Sequence, residues 1–472
     1  MTEPCDLSAV AARRLIGAKK LSPVELMASC LGRIAATNPV SNAIVAMDEP
    51  LARKQAKAAE KQVMKGDALG LLHGLPAAIK DLEQVAGMRT TLGSLIFKDH
   101  VSEADDPMVA NVRAAGANIF AKTNVPEFGA GSNTRNRVYG ATTNPFNAKL
   151  TPAGSSGGAA AALALGQVPV ATGSDYGGSL RTPAAFCGVT GFRPSPGVVP
   201  SASKVAGLIP WGVLGPMGRT VEDTYLLLQA QLDMNARDPF SSLDSIDFPD
   251  TLTPADLGSV RAAFSADLGV CPVDRDIAKI FHARARALSA HFGHAGHVPP
   301  DFSGIHDLFE VHRGVSFVTS HQEKLAKHKK LLDRNVIDNT ERGLKLTVDA
   351  IGHAYVEQQK LYTRVIDYFD DVDVVICPAA SVSPFPHEQL FVEEINGQKM
   401  PTYMTWLSIA YAPTMALCCA AAIPCGRDHK GLPFGLQIFG PKGRDRRVLE
   451  VALALEQAMA GTDMARPVPG VG

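Results

Sequence analysis

Apolar positions recur at helical spacing after Ser22-Pro23-Val24-Glu25, at Leu26, Met27, Cys30, Leu31 and Ile34. A capping serine, a proline at the first helical position and an early acid predict a helix that starts there and ends near Asn38-Pro39. Ala43 to Met47 is a short strand-like run, and Glu49 to Lys65, rich in Ala, Lys and Glu, predicts a helix with one face in water. Leu71 to Asp81 is a nearly continuous apolar run that predicts a buried strand ending in charge, with Lys80 standing where a lysine is unexpected. Asp106 to Ala115 predicts a helix and Ala117 to Thr123 a strand carrying Lys122. Strands and helices in alternation point to an α/β fold.

The pattern then changes character. Asn124 to Leu150, rich in Asn, Gly, Thr and Pro, follows neither period and predicts a structured loop, of a length that in compact domains is often functional. Residues 150–181, LTPAGSSGGAAAALALGQVPVATGSDYGGSLR, combine glycine-bracketed serines with a long small-residue segment. Pro194 to Gly218 is a second Gly/Pro/Ser-rich passage, leading into a helix over Thr220 to Leu232, and Ser259 to Ser265 predicts a strand. From 239 to 370, charged and histidine-containing helices such as Asp274 to Phe292 and His321 to Asp333 replace the small-residue strands, which predicts a mostly helical insertion covering the site within a single domain, 1–472. Val372 to Cys377 and Leu432 to Pro441 resume buried strands around a turn-rich Pro378 to Pro386, and Arg446 to Ala460 is an amphipathic helix. No internal repeat interrupts the plan.

Composition narrows the function. With 472 residues, 46% hydrophobic and 20% charged, the chain can bury a sizeable core. A formal net charge of -1 provides no footprint for nucleic acid or an anionic membrane, so a small-molecule partner is expected. The N-terminal MTEPCDLSAVAARRL lacks the layout of a leader, and no run approaches a membrane span, which makes a cytoplasmic location the expectation. The 8 cysteines are scattered without CxxC pairs and are expected to be reduced and mostly buried. His291, His294 and His297 form HxxHxxH, but Gly293 and Gly296 interrupt any helix that would align them. No acid or cysteine completes a ligand set, so neither metal nor cofactor is expected.

Three chemistries compete for the central stretch. Gly154-Ser155-Ser156-Gly157-Gly158 satisfies the G-x-S-x-G pattern with Ser156 as nucleophile, yet a nucleophile elbow needs a strand just before the serine. Here Asn144 to Pro152 is turn-rich. A phosphate cradle at the N-terminus of a helix over Ala159 to Leu165 is the second option, and neither nucleotide fingerprint is met. A plain Gly/Ser turn packing an alanine-rich helix is the option without chemistry.

The third chemistry uses the whole stretch. Gly154-Ser155-Ser156-Gly157-Gly158 followed by Gly173-Ser174-Asp175-Tyr176-Gly177-Gly178-Ser179-Leu180-Arg181 resembles the amidase signature family. Leu75-Pro76-Ala77-Ala78-Ile79-Lys80-Asp81, Lys122-Thr123-Asn124-Val125-Pro126-Glu127-Phe128, Gly140 to Pro145, Pro183 to Gly188, Gly191 to Pro194 and Leu432 to Gln437 carry the same resemblance. It runs from about residue 22 to 456, firm over 71–221.

What the resemblance implies is a Ser-Ser-Lys triad of Ser179 as nucleophile, Ser155 as relay and Lys80 as base, in an amidohydrolase working through an acyl-enzyme. It also implies a cis Gly154-Ser155 bond and the family's fold, one large, twisted, mixed β-sheet flanked by helices. A serine needs a base to attack a carbonyl, and a lysine serves only when neutral, which burial without carboxylate contact favours. Strand alternation is expected to turn Asp81 away from Lys80. Backbone N–H groups of Tyr176, Gly177, Gly178 and Ser179 are expected to form the oxyanion hole, with Ser156, Asp175 and Arg181 in support. The substrate pocket is expected around Phe128, Gly129, Ala130, Gly131 and Ser132, with Tyr176 and Trp406 hinting at an aryl or bulky apolar acyl group. Carbamates and esters share this acyl chemistry. The family also includes an amidotransferase component that works on misacylated tRNA. That component typically has Gln after the signature arginine and Thr before the glycine pair, where this chain has Thr182 and Tyr176. A monomer or homodimer acting on a small amide or carbamate is therefore expected.

Overall fold

The computed structural model describes residues 3–201, 205–241 and 248–470. Residues 202–204 of the Pro194 to Gly218 passage and 242–247 of the 239–370 segment lie outside them. Eleven strands form one sheet: β1 (Ile44–Met47), β2 (Pro76–Lys80), β3 (Asn118–Thr123), β4 (Val170–Asp175), β5 (Thr190–Arg193), β6 (Val213–Gly218), β7 (Arg261–Phe264), β8 (His294–Gly296), β9 (Val374–Pro378), β10 (Cys419–Arg427) and β11 (Pro433–Gly440). Their order is β1-β3-β2-β4-β6-β5-β10-β11-β9-β7-β8. β2 runs parallel to both β3 and β4, whereas β4, β6, β5, β10, β11 and β9 pair antiparallel in turn. The sheet is thus mixed. Among the described residues no helix is long and apolar enough to cross a membrane.

Burial explains why the inner strands escape a simple period. Every residue of β2 and β3, including Lys80 and Lys122, is buried, as expected of strands covered on both faces. The helices that cover them include α1 (Pro23–Ser41), α2 (Glu49–Lys65), α3 (Pro107–Ala114), α4 (Gly157–Ala164), α5 (Arg181–Cys187) and α6 (Val221–Gln231). α4 is apolar all round and buried along its whole length, so it shows no amphipathic stripe. It packs against β2 and β4. A Cβ on its Gly158 would lie 2.3 Å from the Asn124 backbone nitrogen, so only glycine permits that approach.

The helices at 22–41 and 49–65 start where the caps predict, and Ser22 and Glu25 form a reciprocal capping box. The first continues through Pro39 to Ser41, because a proline in the last turn loses one bond while left-handed Asn42 closes the end. The small-residue passages, in contrast, contain central strands that the pattern does not predict. β6 falls inside the Pro194 to Gly218 passage and holds Pro216 opposite Thr172 of β4.

Among the described residues, the 239–370 segment contributes four α-helices, α7 (Arg275–Ser289), α8 (Ile305–His328), α9 (Arg334–Gly343) and α10 (Val348–Tyr368), and also two strands of the main sheet, β7 and β8. α8 begins at Ile305 rather than near His321, since buried His312, Arg313 and His321 interrupt its apolar stripe. α11 (Ser408–Met415) and α12 (Asp445–Met459) complete the set used below.

Candidate active site

Three adjacent strands converge at one end of the sheet. β2 ends at Lys80, parallel β4 ends at Ser174-Asp175, and antiparallel β6 begins at Val213 opposite Asp175. Lys80 is fully buried. Its Nζ lies 2.8 Å from Ser155 Oγ, 2.8 Å from Ser156 Oγ and 2.9 Å from Ser174 Oγ, with the Ser174 carbonyl oxygen at 3.4 Å. Burial pulls the ammonium down to about 8 against the opposing fields of Glu83 and Asp175. A protonated Nζ donates to all three hydroxyls, whereas a neutral one keeps two donors and a lone pair that accepts a proton from one of them.

Asp81 does turn away from Lys80. Its carboxylate accepts from the Thr91 hydroxyl at 2.7 Å and faces Lys122 Nζ at 3.9 Å. Lys122 also donates to the Glu83 carbonyl oxygen, and to Thr90 Oγ1 at 3.3 Å. It holds the end of β3 to the turn after β2.

The Gly154-Ser155 peptide is cis. Ser155 and Ser156 lead into α4, while Ser179 lies in the turn between β4 and α5. The Ser156 N–H donates to the Ser179 carbonyl at 3.3 Å, so the two glycine-serine loops are tied directly to each other. Ser155 and Ser179 line the same cavity.

Asp175 organises the second loop. Its carboxylate accepts from Gly178 N–H and Leu180 N–H, each at 3.0 Å, and from Arg181 at 2.7 Å and 3.0 Å in a bidentate clasp. Arg193 donates to the Asp175 carbonyl at 2.7 Å and to the Trp211 carbonyl at 2.9 Å. Burial alone would push the Asp175 carboxyl up, and the adjacent Arg181 and Arg193 guanidinia instead hold it well below the ordinary carboxylate range. Arg181 reaches on to Gln437 Oε1 at 2.6 Å and Thr414 Oγ1 at 2.9 Å, fastening the loop to β11 and α11. The expected oxyanion hole needs one correction, since the Gly178 N–H is already committed to Asp175. Gly178 is required for another reason: at φ +110° with Ala410 Cβ 2.5 Å from where its own Cβ would lie, no side chain fits. The N–H groups of Tyr176, Gly177 and Ser179 have no acceptor among the described residues.

The cavity has a volume of about 210 Å³ and is lined by apolar Leu82, Phe128, Val213 and Leu214 and by Gly129, Ser174 and Tyr176 beside the two serines. Of the five residues expected to build the pocket, Phe128 and Gly129 line it. Ala130 instead packs with Phe317, Leu332 and Val336, the Gly131 carbonyl abuts Gly154, and Ser132 Oγ accepts from Trp406 Nε1 at 3.2 Å in the interior. Trp406 is fully buried between Phe186 and Phe385. It is a core residue and not part of the cavity wall, because the chain around it enters the core ahead of α11.

Ser174, Leu82 and the β6 residues are absent from the sequence-based set. Ser174 stands inside the quoted motif, next to Asp175, and strand alternation from Thr172 could have placed it on the Lys80 side. α8 stands behind the cavity wall: the Phe309 ring meets Tyr176 edge-on at 5.9 Å, and His321 lies 4.8 Å from Phe128. His291, His294 and His297 are exposed, and among the described residues no group of His, Cys, Asp and Glu is placed to hold a metal ion.

The chain is similar to known proteins along most of its length. The amidase family model matches residues 25–449. An acylamidase from Rhodococcus erythropolis is 30% identical over 476 residues, covering 97% of this chain and 96% of that protein. A glutamyl-tRNA(Gln) amidotransferase subunit from Picosynechococcus sp. is 31% identical, covering 94% and 96%. The crystal structure of a bacterial aryl acylamidase belonging to the amidase signature enzymes superposes with a TM-score of 0.89 at 28% identity, covering 96% of each chain. With the family model spanning most of its length, the chain belongs to the amidase signature family of enzymes.

Proposed function

We propose that the protein is an amidohydrolase that cleaves a carboxylic amide through an acyl-enzyme on Ser179, with Ser155 as relay and Lys80 as base. The observation that carries this reading is the buried Lys80 Nζ, 2.8 Å from Ser155 Oγ, with no carboxylate in hydrogen-bond contact among the described residues. Neutral Lys80 takes the proton of Ser155 as Ser155 takes that of Ser179, and the freed Ser179 Oγ bonds to the amide carbonyl carbon. The oxygen of the tetrahedral intermediate faces the N–H groups of Tyr176, Gly177 and Ser179, each such donor being worth roughly 3 kcal/mol to the transition state. The C–N bond breaks as the proton returns through Ser155 to the departing ammonia or amine. Water then adds to the ester by the same route and releases the acid.

A cavity of about 210 Å³, below the ~300–1,000 Å³ of drug-sized sites, suits a small acyl group. Its Phe128, Tyr176 and Leu214 walls favour an apolar or aryl one. The same acyl chemistry extends to carbamates and esters, and the amidotransferase relative makes a role as one component of a larger enzyme the reading to exclude. Purified chain with no partner, offered anilides, aliphatic amides, carbamates and esters, should release amine from the amides with the highest kcat/KM, and Ser179→Ala should abolish it. Absence of turnover by the chain alone, restored by partner proteins and a tRNA, would overturn the proposal.

A further inference from the structure

Two of the expected oxyanion donors, the Tyr176 and Gly177 N–H groups, make no hydrogen bond to the protein among the described residues, so they do not fix their own direction. The Tyr176 side chain anchors them instead. Its ring faces the Arg313 guanidinium, whose Cζ lies 5.5 Å from the ring centroid, and it meets the Phe309 ring edge-on at 5.9 Å. Phe309 in turn stacks on Tyr411 at 3.9 Å. Phe309, Arg313 and Phe317 follow one another along a single face of α8, about one helical turn apart.

Arg313 is only 5% exposed, and among the described residues no carboxylate pairs with it. Its Nε donates to Asn339 Oδ1 at 2.8 Å and its Nη2 to the Tyr403 hydroxyl. The rings of Phe317, Tyr403, Tyr176 and Phe309 surround its Cζ at 4.5, 5.3, 5.5 and 5.8 Å. Burying a cation without a counter-ion is costly, and the negative faces of the rings offset part of that cost. An apolar side chain would fill the place without it. What a guanidinium adds is a hold on a ring face together with a fork of hydrogen bonds in fixed directions. The fork leads further: on α9, Asn339 Nδ2 donates to the Asn335 carbonyl at 2.7 Å, and Asn335 Nδ2 donates to the Ala130 carbonyl at 3.0 Å. Ala130 follows Phe128 and Gly129, which line the same cavity as Tyr176.

We propose that Arg313 is a positioning residue for acyl transfer: it holds the Tyr176 ring so that the Tyr176 and Gly177 N–H groups point at the oxygen of the tetrahedral intermediate, and it ties that loop through α9 to the segment carrying Phe128. This rests on the oxyanion hole of the proposed function. Arg313 touches no reacting atom and acts through Tyr176. The hold matters most once the carbonyl oxygen carries charge, because the neutral carbonyl of the substrate gains little from those donors. Loss of Arg313 therefore raises the barrier and leaves substrate binding nearly unchanged.

The test is a cycle of Arg313→Met, Tyr176→Leu and the double variant, each read by kcat, KM and the Ki of a trifluoromethyl ketone, whose adduct with Ser179 carries the oxyanion and has no leaving group. Arg313→Met should lower kcat about 10²-fold, the cost of a misplacement of ~1 Å, with KM little changed and the ketone weakened by the same factor as kcat/KM. Arg313→Lys keeps the charge over the rings and loses the fork, and should cost only about tenfold. Tyr176→Leu should cost about as much as Arg313→Met, and adding Arg313→Met to it should cost less than about threefold more. Equal factors for Arg313→Met on the two backgrounds, or a folded Arg313→Met enzyme with kcat within about threefold of wild type, overturn the inference. So does a fall in kcat/KM that the ketone does not follow. If Arg313→Met fails to fold, the same cycle with Arg313→Lys decides by the same comparison of factors. Ser179→Ala, measured alongside, separates the two ideas: turnover retained there refutes the acyl-enzyme, whereas a dead Ser179→Ala beside an unmoved Arg313→Met refutes only the positioning role.

Discussion

Asp175→Asn is the sharpest test of how the loop around Ser179 is held. The carboxylate has two oxygens and accepts from Gly178 N–H, Leu180 N–H and both arms of Arg181. An asparagine keeps one acceptor and turns an NH2 toward two donors, leaving the buried Arg181 without its anion. Breaking a buried pair by removing one partner costs about 3–5 kcal/mol. Spread over 472 residues at roughly 2 cal/mol/K each, that lowers Tm by only about 3–5 °C. The catalytic loss should be far larger: with Gly178 or Leu180 released, the neighbouring N–H groups no longer converge, and kcat should fall about 10²–10³-fold, the cost of losing one oxyanion donor. KM should change little. Because the native pairing holds Asp175 below its unfolded value, its contribution to stability is present in full above the unfolded carboxylate range and is lost as pH falls through the folded value. The Tm deficit of the variant should therefore persist down to pH 4. Steady-state kinetics and thermal melts at pH 4 to 8 decide the matter, and a folded Asp175→Asn enzyme within threefold of wild-type kcat would refute the argument.

Lys80→Met should remove turnover by at least about 10³-fold while the fold survives, checked by kinetics beside circular dichroism. Wild-type activity should rise with pH through about 8 as Lys80 loses its proton. Since burial lowers the Lys80 value, the folded state binds fewer protons there than the unfolded chain, so its share of stability rises with pH from about 8 toward the ordinary lysine value, as pH-dependent melts will show. Ser174→Ala, which removes one of the hydroxyls at Lys80 Nζ, should lower kcat about tenfold, the worth of one hydrogen bond, against near-complete loss for Ser155→Ala. Trp406→Ala should destabilise by about 3–5 kcal/mol in denaturant titration and leave the ratio of kcat/KM between aryl and alkyl substrates unchanged.

Much of the fold was legible where local rules dominate. Ser22 with Glu25, the 49–65 stripe and the buried runs at 76–80 and 433–440 declare themselves through caps and continuous apolar burial. β4, β5 and β6 do not, because residues such as Gly173, Gly191 and Pro216 are tolerated there only by neighbours on both sides, and that information is tertiary. α8 was cut short for a similar reason: His312, Arg313 and His321 look like solvent residues and are buried against Trp211, Tyr403 and Phe128. At the site, motif resemblance located Lys80, Ser155, Asp175 and Arg181 in the one place where they meet. It left out Ser174, whose proximity to Lys80 depends on strand ends aligning, and it drew Ala130, Gly131, Ser132 and Trp406 toward a cavity they do not line.

The eight cysteines, all buried as free thiols, make the chain its own gauge of opening. Burial raises the pKa of each of Cys187, Cys271, Cys377, Cys418 and Cys419, which removes the reactive thiolate as well as the route to it. A colourless disulfide reagent added to folded enzyme thus meets no ready target, and the pace at which colour develops measures how often the interior is exposed. Any altered form that loses activity while its thiols stay silent has lost chemistry, and one whose thiols react at once has lost its shape.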